Sequence, residues 1–174
     1  MKHMKLLVVG LAVLGGAGCA GMGGGGQTAV ANLEATKGNA TAGRVTFSQV
    51  GGRVIVTAEI NNLKPNAEHG FHVHDKGDCS SGDGMSAAGH FNPLSKPHGN
   101  HTSGERHAGD MPNIKADANG RASYRAELDV ITVSDGPTSI VGRGLIVHRD
   151  PDDYTSQPVG NAGPRLACAV IQRG

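Results

Sequence analysis

The sequence has no tryptophan, only two tyrosines and three phenylalanines, and aromatic residues make up 3% of it. That scarcity excludes a core built on rings, so Val, Ile, Leu and Ala must supply the buried surface. An excess of one charge is also missing: 16 Lys and Arg stand against 15 Asp and Glu, a formal net charge of +1 with histidine neutral. Such a balance gives no electrostatic footing for nucleic acid or an acidic surface as partner. The apolar run Leu6 to Leu14 is too short to span a bilayer as a helix. Beyond about residue 29 no apolar period of 3.6 residues persists, so long helices are not expected. What the chain has in quantity is glycine, 28 residues, which suits tight turns between short strands. Nine histidines are the first sign of metal chemistry.

The N-terminal segment reads as an export signal over residues 1–18. Lys2 and Lys5 give a positive start, Leu6 to Leu14 an apolar centre, and Gly15 to Gly18 a small-residue stretch ending at Cys19. A small-residue run before a cysteine resembles a bacterial lipoprotein signal, in which the cysteine becomes a lipidated membrane anchor. Gly16 departs from that pattern, and a plain secretory signal with an incidental Cys19 is the alternative. Residues 19–29, with glycine at most positions from 21 to 26, are expected to form a flexible tether before a single domain over 30–174. With Cys19 set aside, Cys79 and Cys168 are an even pair far apart in sequence, as one structural disulfide in an oxidising compartment requires. Closing so long a loop contributes about 4–5 kcal/mol in the chain-entropy description.

The body of the chain carries strand signals. Val45 and Phe47 alternate with Thr46 and Ser48; Val54, Val56, Ala58 and Ile60 alternate with Ile55, Thr57 and Glu59; Gly51-Gly52 lies between as a hairpin turn. Asn119-Gly120 predicts a second hairpin between 114–118 and 122–128, and 140–148 and 166–171 read as later strands, the last fully buried. Several short strands with turn signals predict an all-β sandwich or barrel. Residues 75–110 and 149–164 interrupt the rhythm, and structureless stretches of that length in a small domain are usually functional.

Those stretches and the strand ends beside them hold the histidines. In Gly70-Phe71-His72-Val73-His74, alternation turns Phe71 and Val73 to the core and aims both imidazoles the other way, half of a transition-metal site. The long loop adds His90, His98, His107 and Asp110, three imidazoles and a carboxylate that suit tetrahedral Zn²⁺. His148, closing its strand, completes a nitrogen-rich set suited to copper.

The runs GFHVH, GHFNPLSKPHG, ERHAGD, VHRDPDD and GNAGPRLAC, in this order over about residues 70–171, resemble the signature segments of copper–zinc superoxide dismutases. The resemblance implies an eight-stranded Greek-key β-barrel with two long functional loops, and one copper and one zinc per subunit. It implies copper ligands at His72, His74, His90 and His148 and zinc ligands at His90, His98, His107 and Asp110, with His90 bridging. It pairs Cys79 with Cys168, places Arg165 over the copper to receive the anion, and gives Asp152 the task of linking His72 to His98. Copper would oxidise one superoxide to oxygen and reduce a second to peroxide, with His90 leaving copper to carry a proton and zinc holding it meanwhile.

The short spacing from His74 to Cys79 resembles the periplasmic bacterial branch of the family and points to a periplasmic location. The 149–164 loop is short, lacks the Glu and Lys cluster that steers substrate in animal relatives, and carries Val159 where many relatives have Thr. His69 reads as structural, His101 as a solvated loop residue, Asp150 and Asp153 as exposed charges, Met111 as packing, and Lys64, Lys76 and Lys96 as solvated. The alternatives weighed are a copper-carrying domain of the same fold and a metal-free sandwich. A homodimer is expected in preference to a monomer, with no nucleic acid partner.

Overall fold

The computed structural model describes Met1 and residues 27–174; the rest of the expected export signal, Cys19 and most of the expected tether lie outside the described residues. Ten short strands follow one another: β1 Thr28–Ala35, β2 Ala42–Val50, β3 Arg53–Asn61, β4 Glu68–His69, β5 Phe71–His74, β6 Ile114–Lys115, β7 Ala122–Leu128, β8 Gly144–His148, β9 Arg165–Val170 and β10 Gln172–Arg173. Eight form one curled antiparallel sheet in the order β5-β8-β9-β1-β2-β3-β7, with β10 beside β1; β4 and β6 pair separately. The chain leaves β3, returns as β7 next to it, then crosses to β8, between β5 and β9 on the other side of the sheet, so consecutive elements are not all neighbours. Among the described residues the only helical element is a 3-10 turn, Met85–Ala87.

The alternating strands bury the residues their patterns select. Val45, Phe47, Val54, Val56 and Ile60 point inward from β2 and β3, and Phe71, Val73, Leu145 and Val147 from β5 and β8. Each fully buried side chain of this size contributes about 1.5–3 kcal/mol. With few rings available, Phe71 and Tyr124 still meet edge to face, 5.4 Å between centroids.

The first strand opens at Thr28, with Ala29 fully buried between Phe47 of β2 and Arg173 of β10. Three strand expectations need correction. The Asn119-Gly120 turn forms, with Gly120 N–H donating to Asp117 O (3.1 Å), but it does not join a paired hairpin. Instead β6 is two residues long and pairs with β4, while β7 pairs along its length with β3. The strand read as 140–148 starts only at Gly144, since Gly142 turns the chain with φ +81°. Finally, Leu166 and Val170 of β9 are half-buried, so that strand is not wholly interior.

The frame matters for what it leaves on the other face of β5. Phe91 N–H donates to Val73 O (2.9 Å), Val73 N–H donates to Gly109 O (3.0 Å), and Asp75 N–H donates to Gly89 O (2.9 Å), drawing the 75–110 loop onto that strand. The disulfide between Cys79 and Cys168, 89 residues apart, fastens the same loop to β9.

Candidate metal centre

The structure brings the predicted donors into two groups that share His90. One is His72, His74, His90 and His148; the other is His90, His98, His107 and Asp110; within each group one donor atom per residue lies within 4.8 Å of the rest. Strand geometry supplies three of the first group. His72 and His74 stand opposite Ile146 and Gly144 of β8, and His148 ends β8 where the register with β9 slips. With Val147 in the core, alternation puts His148 on the face of β8 that carries Ile146, opposite His72. The loop supplies the others: isolated bridges set Asp110 opposite His72 and His90 opposite His74.

Four of the rings, His72, His74, His98 and His148, have one nitrogen fixed by an outer partner and the other directed inward. His74 Nδ1 donates to Ala88 O (2.9 Å) and His148 Nδ1 donates to Gly163 O (3.0 Å). A carbonyl can only accept, so both rings carry their proton on Nδ1 and present a lone pair at Nε2. Those two Nε2 atoms lie 3.4 Å apart with no proton between them, an arrangement that needs a cation. His72 and His98 donate from Nε2 to the two oxygens of Asp152, at 2.7 and 2.9 Å. His72 Nδ1 is thereby left buried and without a hydrogen-bond partner, and so is His90 Nε2. Orphaned acceptors in a dry site are costly unless something coordinates them. Four inward nitrogens in one group suit copper, and three nitrogens with one carboxylate oxygen suit zinc.

Asp110 divides its oxygens in the same way. Its Oδ2 accepts from the N–H groups of Gly99 (3.1 Å) and His107 (2.9 Å), while Oδ1 faces His90 Nδ1 at 2.8 Å and His98 Nδ1 at 3.1 Å. The carboxyl is held well below the usual carboxylate range: burial opposes this, but bonds from His107, His90 and His98 outweigh it.

Burial keeps the first group uncharged. It lowers His72 to about 3 and His148 to about 4, aided in both by the neighbouring His90, although Asp152 and the Gly163 carbonyl respectively pull the other way. His74 is lowered well below its ordinary value and His90 is lowered too, both chiefly by burial. Neutral imidazoles are the form that ligates a metal. His98 goes the other way, raised to about 9: burial disfavours its charge, but Asp110 and Asp152 more than compensate. Metal binding at His98 therefore displaces a proton.

Asp152, half a loop away in sequence, is set by contacts that no sequence pattern announced. Asn113 grips its main chain both ways, donating to Asp152 O (2.9 Å) and accepting from Asp152 N–H (3.0 Å). Tyr154 N–H donates to Asp152 Oδ1 (2.7 Å), and the Tyr154 hydroxyl accepts from Asn113 N–H (2.8 Å). Gly160, with φ +68°, passes so close that a Cβ there would sit 1.8 Å from Asp152 Oδ1 and 2.6 Å from His98 Nε2. Only glycine fits.

Arg165 opens β9 half-buried. Its guanidinium donates to Gly84 O (2.5 Å) and Ala88 O (2.6 Å), and Ala88 O is also the acceptor for His74. The cation thus stands on the loop that carries the first group, and its charge lowers the pKa of His74 and His148. Burial lowers its own pKa somewhat.

The remaining residues separate cleanly. His69 is fully buried, with Nδ1 donating to His148 O (2.9 Å), a structural role one step from the centre. His101 joins neither group; it is half-buried near Tyr154 rather than solvated, and burial and then Arg106 lower its pKa. Asp153 caps its own turn through Thr155 and Ser156 N–H, and Asp150 pairs with Arg149. Met111 is fully buried. Lys64 and Lys76 are exposed, whereas Lys96 is half-buried and paired with Glu105 at 2.5 Å.

Over residues 41–171 the chain matches the family described as copper/zinc superoxide dismutase (SODC). It is 41% identical over 134 residues to Cu-Zn superoxide dismutase 1 of Aquifex aeolicus (strain VF5), covering 75% of this chain and 79% of that one. The Cu-Zn superoxide dismutase of Paramecium bursaria Chlorella virus 1 is 44% identical over 135 residues, covering 74% and 71%. A solved structure described as the clock protein EA4 aligns with a TM-score of 0.78 at 41% identity, over 85% of this chain and 95% of that chain.

Proposed function

The chain belongs to the copper/zinc superoxide dismutase family, and from that premise we propose how its two donor groups divide the work. The protein is an enzyme that converts superoxide to oxygen and hydrogen peroxide with copper and zinc. His72, His74, His90 and His148 would hold the copper, and His90, His98, His107 and Asp110 would hold the zinc. Bound copper would supply the one-electron oxidation and reduction of successive superoxide ions, and zinc would supply no redox chemistry.

The single observation that carries this reading is His90, common to both groups, with Nδ1 on the Asp110 side and Nε2 buried and unpaired. Its Nε2 is the atom that holds the proton destined for peroxide. His72, His74 and His148, neutral and fixed from outside, keep their lone pairs in place throughout. Arg165 meets the anion with a forked set of donors and a charge that guides its approach.

Stripping the metals with a chelator should abolish dismutation, and adding Zn²⁺ and then Cu²⁺ should restore it with one of each per chain by elemental analysis. Fully loaded, folded protein without activity would refute the assignment. In the same assay Arg165→Ala should be slower and respond less to ionic strength, since salt screens charge-guided encounter; an unchanged salt profile would remove Arg165 from that role.

The reading extends to place. An export signal over 1–18, a lipidated Cys19 and a disulfide all fit an enzyme working in the periplasm. The intact mass of protein recovered from membranes tests lipidation, and sedimentation of the purified chain tests the homodimer.

A further inference from the structure

The 149–164 loop reaches the His98 ring through Asp152 and Gly160. It reaches the His98 main chain through Gln157. Its Oε1 accepts from His98 N–H (3.0 Å) and its Nε2 donates to His98 O (2.9 Å), with a longer approach to Thr155 O at 3.5 Å. Only one orientation of the amide satisfies both main-chain groups, because the N–H needs an oxygen and the carbonyl needs an N–H. One side chain thus pairs with a loop residue as a neighbouring strand would. His98 is buried and has no strand of its own to order its backbone.

We propose that Gln157 is a positioning residue for the zinc half of the centre: by clamping the His98 main chain it fixes the root of the ring whose tip Asp152 holds. A ring held only at Nε2 can still swing about that bond; a ring held at both root and tip directs Nδ1 at a single point. The peptide that follows is restrained as well, since Gly99 N–H donates to Asp110 Oδ2. The loop that bears Gln157 therefore orders the donors of the other loop, and zinc retention depends on a residue that touches neither the ion nor any ring. This rests on the assignment of His90, His98, His107 and Asp110 to zinc.

The test compares Gln157→Ala and Gln157→Met in the copper- and zinc-loaded protein. Zinc release to a chromogenic chelator should be about tenfold faster in both, in line with partners that orient ligands, with copper content unchanged. Met keeps the length and loses both hydrogen bonds, so it separates clamping from packing. With Co²⁺ in place of zinc, the visible bands should shift in both variants, a change that a purely global loss of stability does not produce. Parent-like release and an unshifted cobalt spectrum, or a Met variant that behaves as parent while Ala does not, would overturn the clamp. Asp110→Ala serves as the reference: it should lose zinc outright, and if it keeps zinc at full occupancy, the assignment of the group fails, and this inference with it.

Discussion

His90→Ala should lower dismutation by a factor on the order of 10²–10⁴, the range associated with losing a positioned proton-transfer group, while most copper stays bound. Copper is retained because His72, His74 and His148 keep their outer partners, Asp152, the Ala88 carbonyl and the Gly163 carbonyl. Activity falls because, among the described residues, no other side chain belongs to both donor groups. The Asp110 side also loses a donor, so zinc should be held more weakly. Copper content by mass spectrometry, read beside the rate, separates the two effects. A variant that is fully loaded and as fast as the parent would mean that the shared ring takes no part in proton delivery.

Replacing Cys79 and Cys168 together with serine should cost about 2–5 kcal/mol of stability, which for a domain of this size is a fall in melting temperature of roughly 10 °C. The bond closes a segment of 89 residues, so its loss releases a large unfolded ensemble. It also anchors the stretch that holds Arg165. Gly84 and Ala88, which accept from the guanidinium, lie a few residues beyond Cys79, and Arg165 lies three before Cys168. Activity per bound copper should therefore fall as well, even below the melting transition. Thermal unfolding and rate measured on the same loaded sample decide this; an unchanged melting temperature would show that the loop is held without the bond.

Much of the centre was legible in the sequence because it follows from alternation and donor chemistry. Once Phe71 and Val73 are inside, His72 and His74 must share the other face, and the donors in 90–110 have no apolar purpose to compete with. The extent of the strands was less legible. Ala29 joins β1 because two partner strands flank it, not because Thr28-Ala29 favours a strand, and Ile114 was claimed by β4 despite the turn that points it toward β7. Asn113, Tyr154 and Gly160 were missed for a related reason. Their roles consist of contacts between main chain and side chain that span 39 and 41 residues, or of a space that a Cβ would fill, and neither has a period or a spacing to read.

Asp152 has a consequence beyond holding two rings. Its two oxygens hang from one carbon, so the offset between the N–H groups of His72 and His98 is fixed by covalent bond lengths rather than by packing. Movement of the surrounding segment translates or tilts both rings together. It does not change their spacing, so the carboxylate acts as a gauge that keeps the redox and inert halves in step.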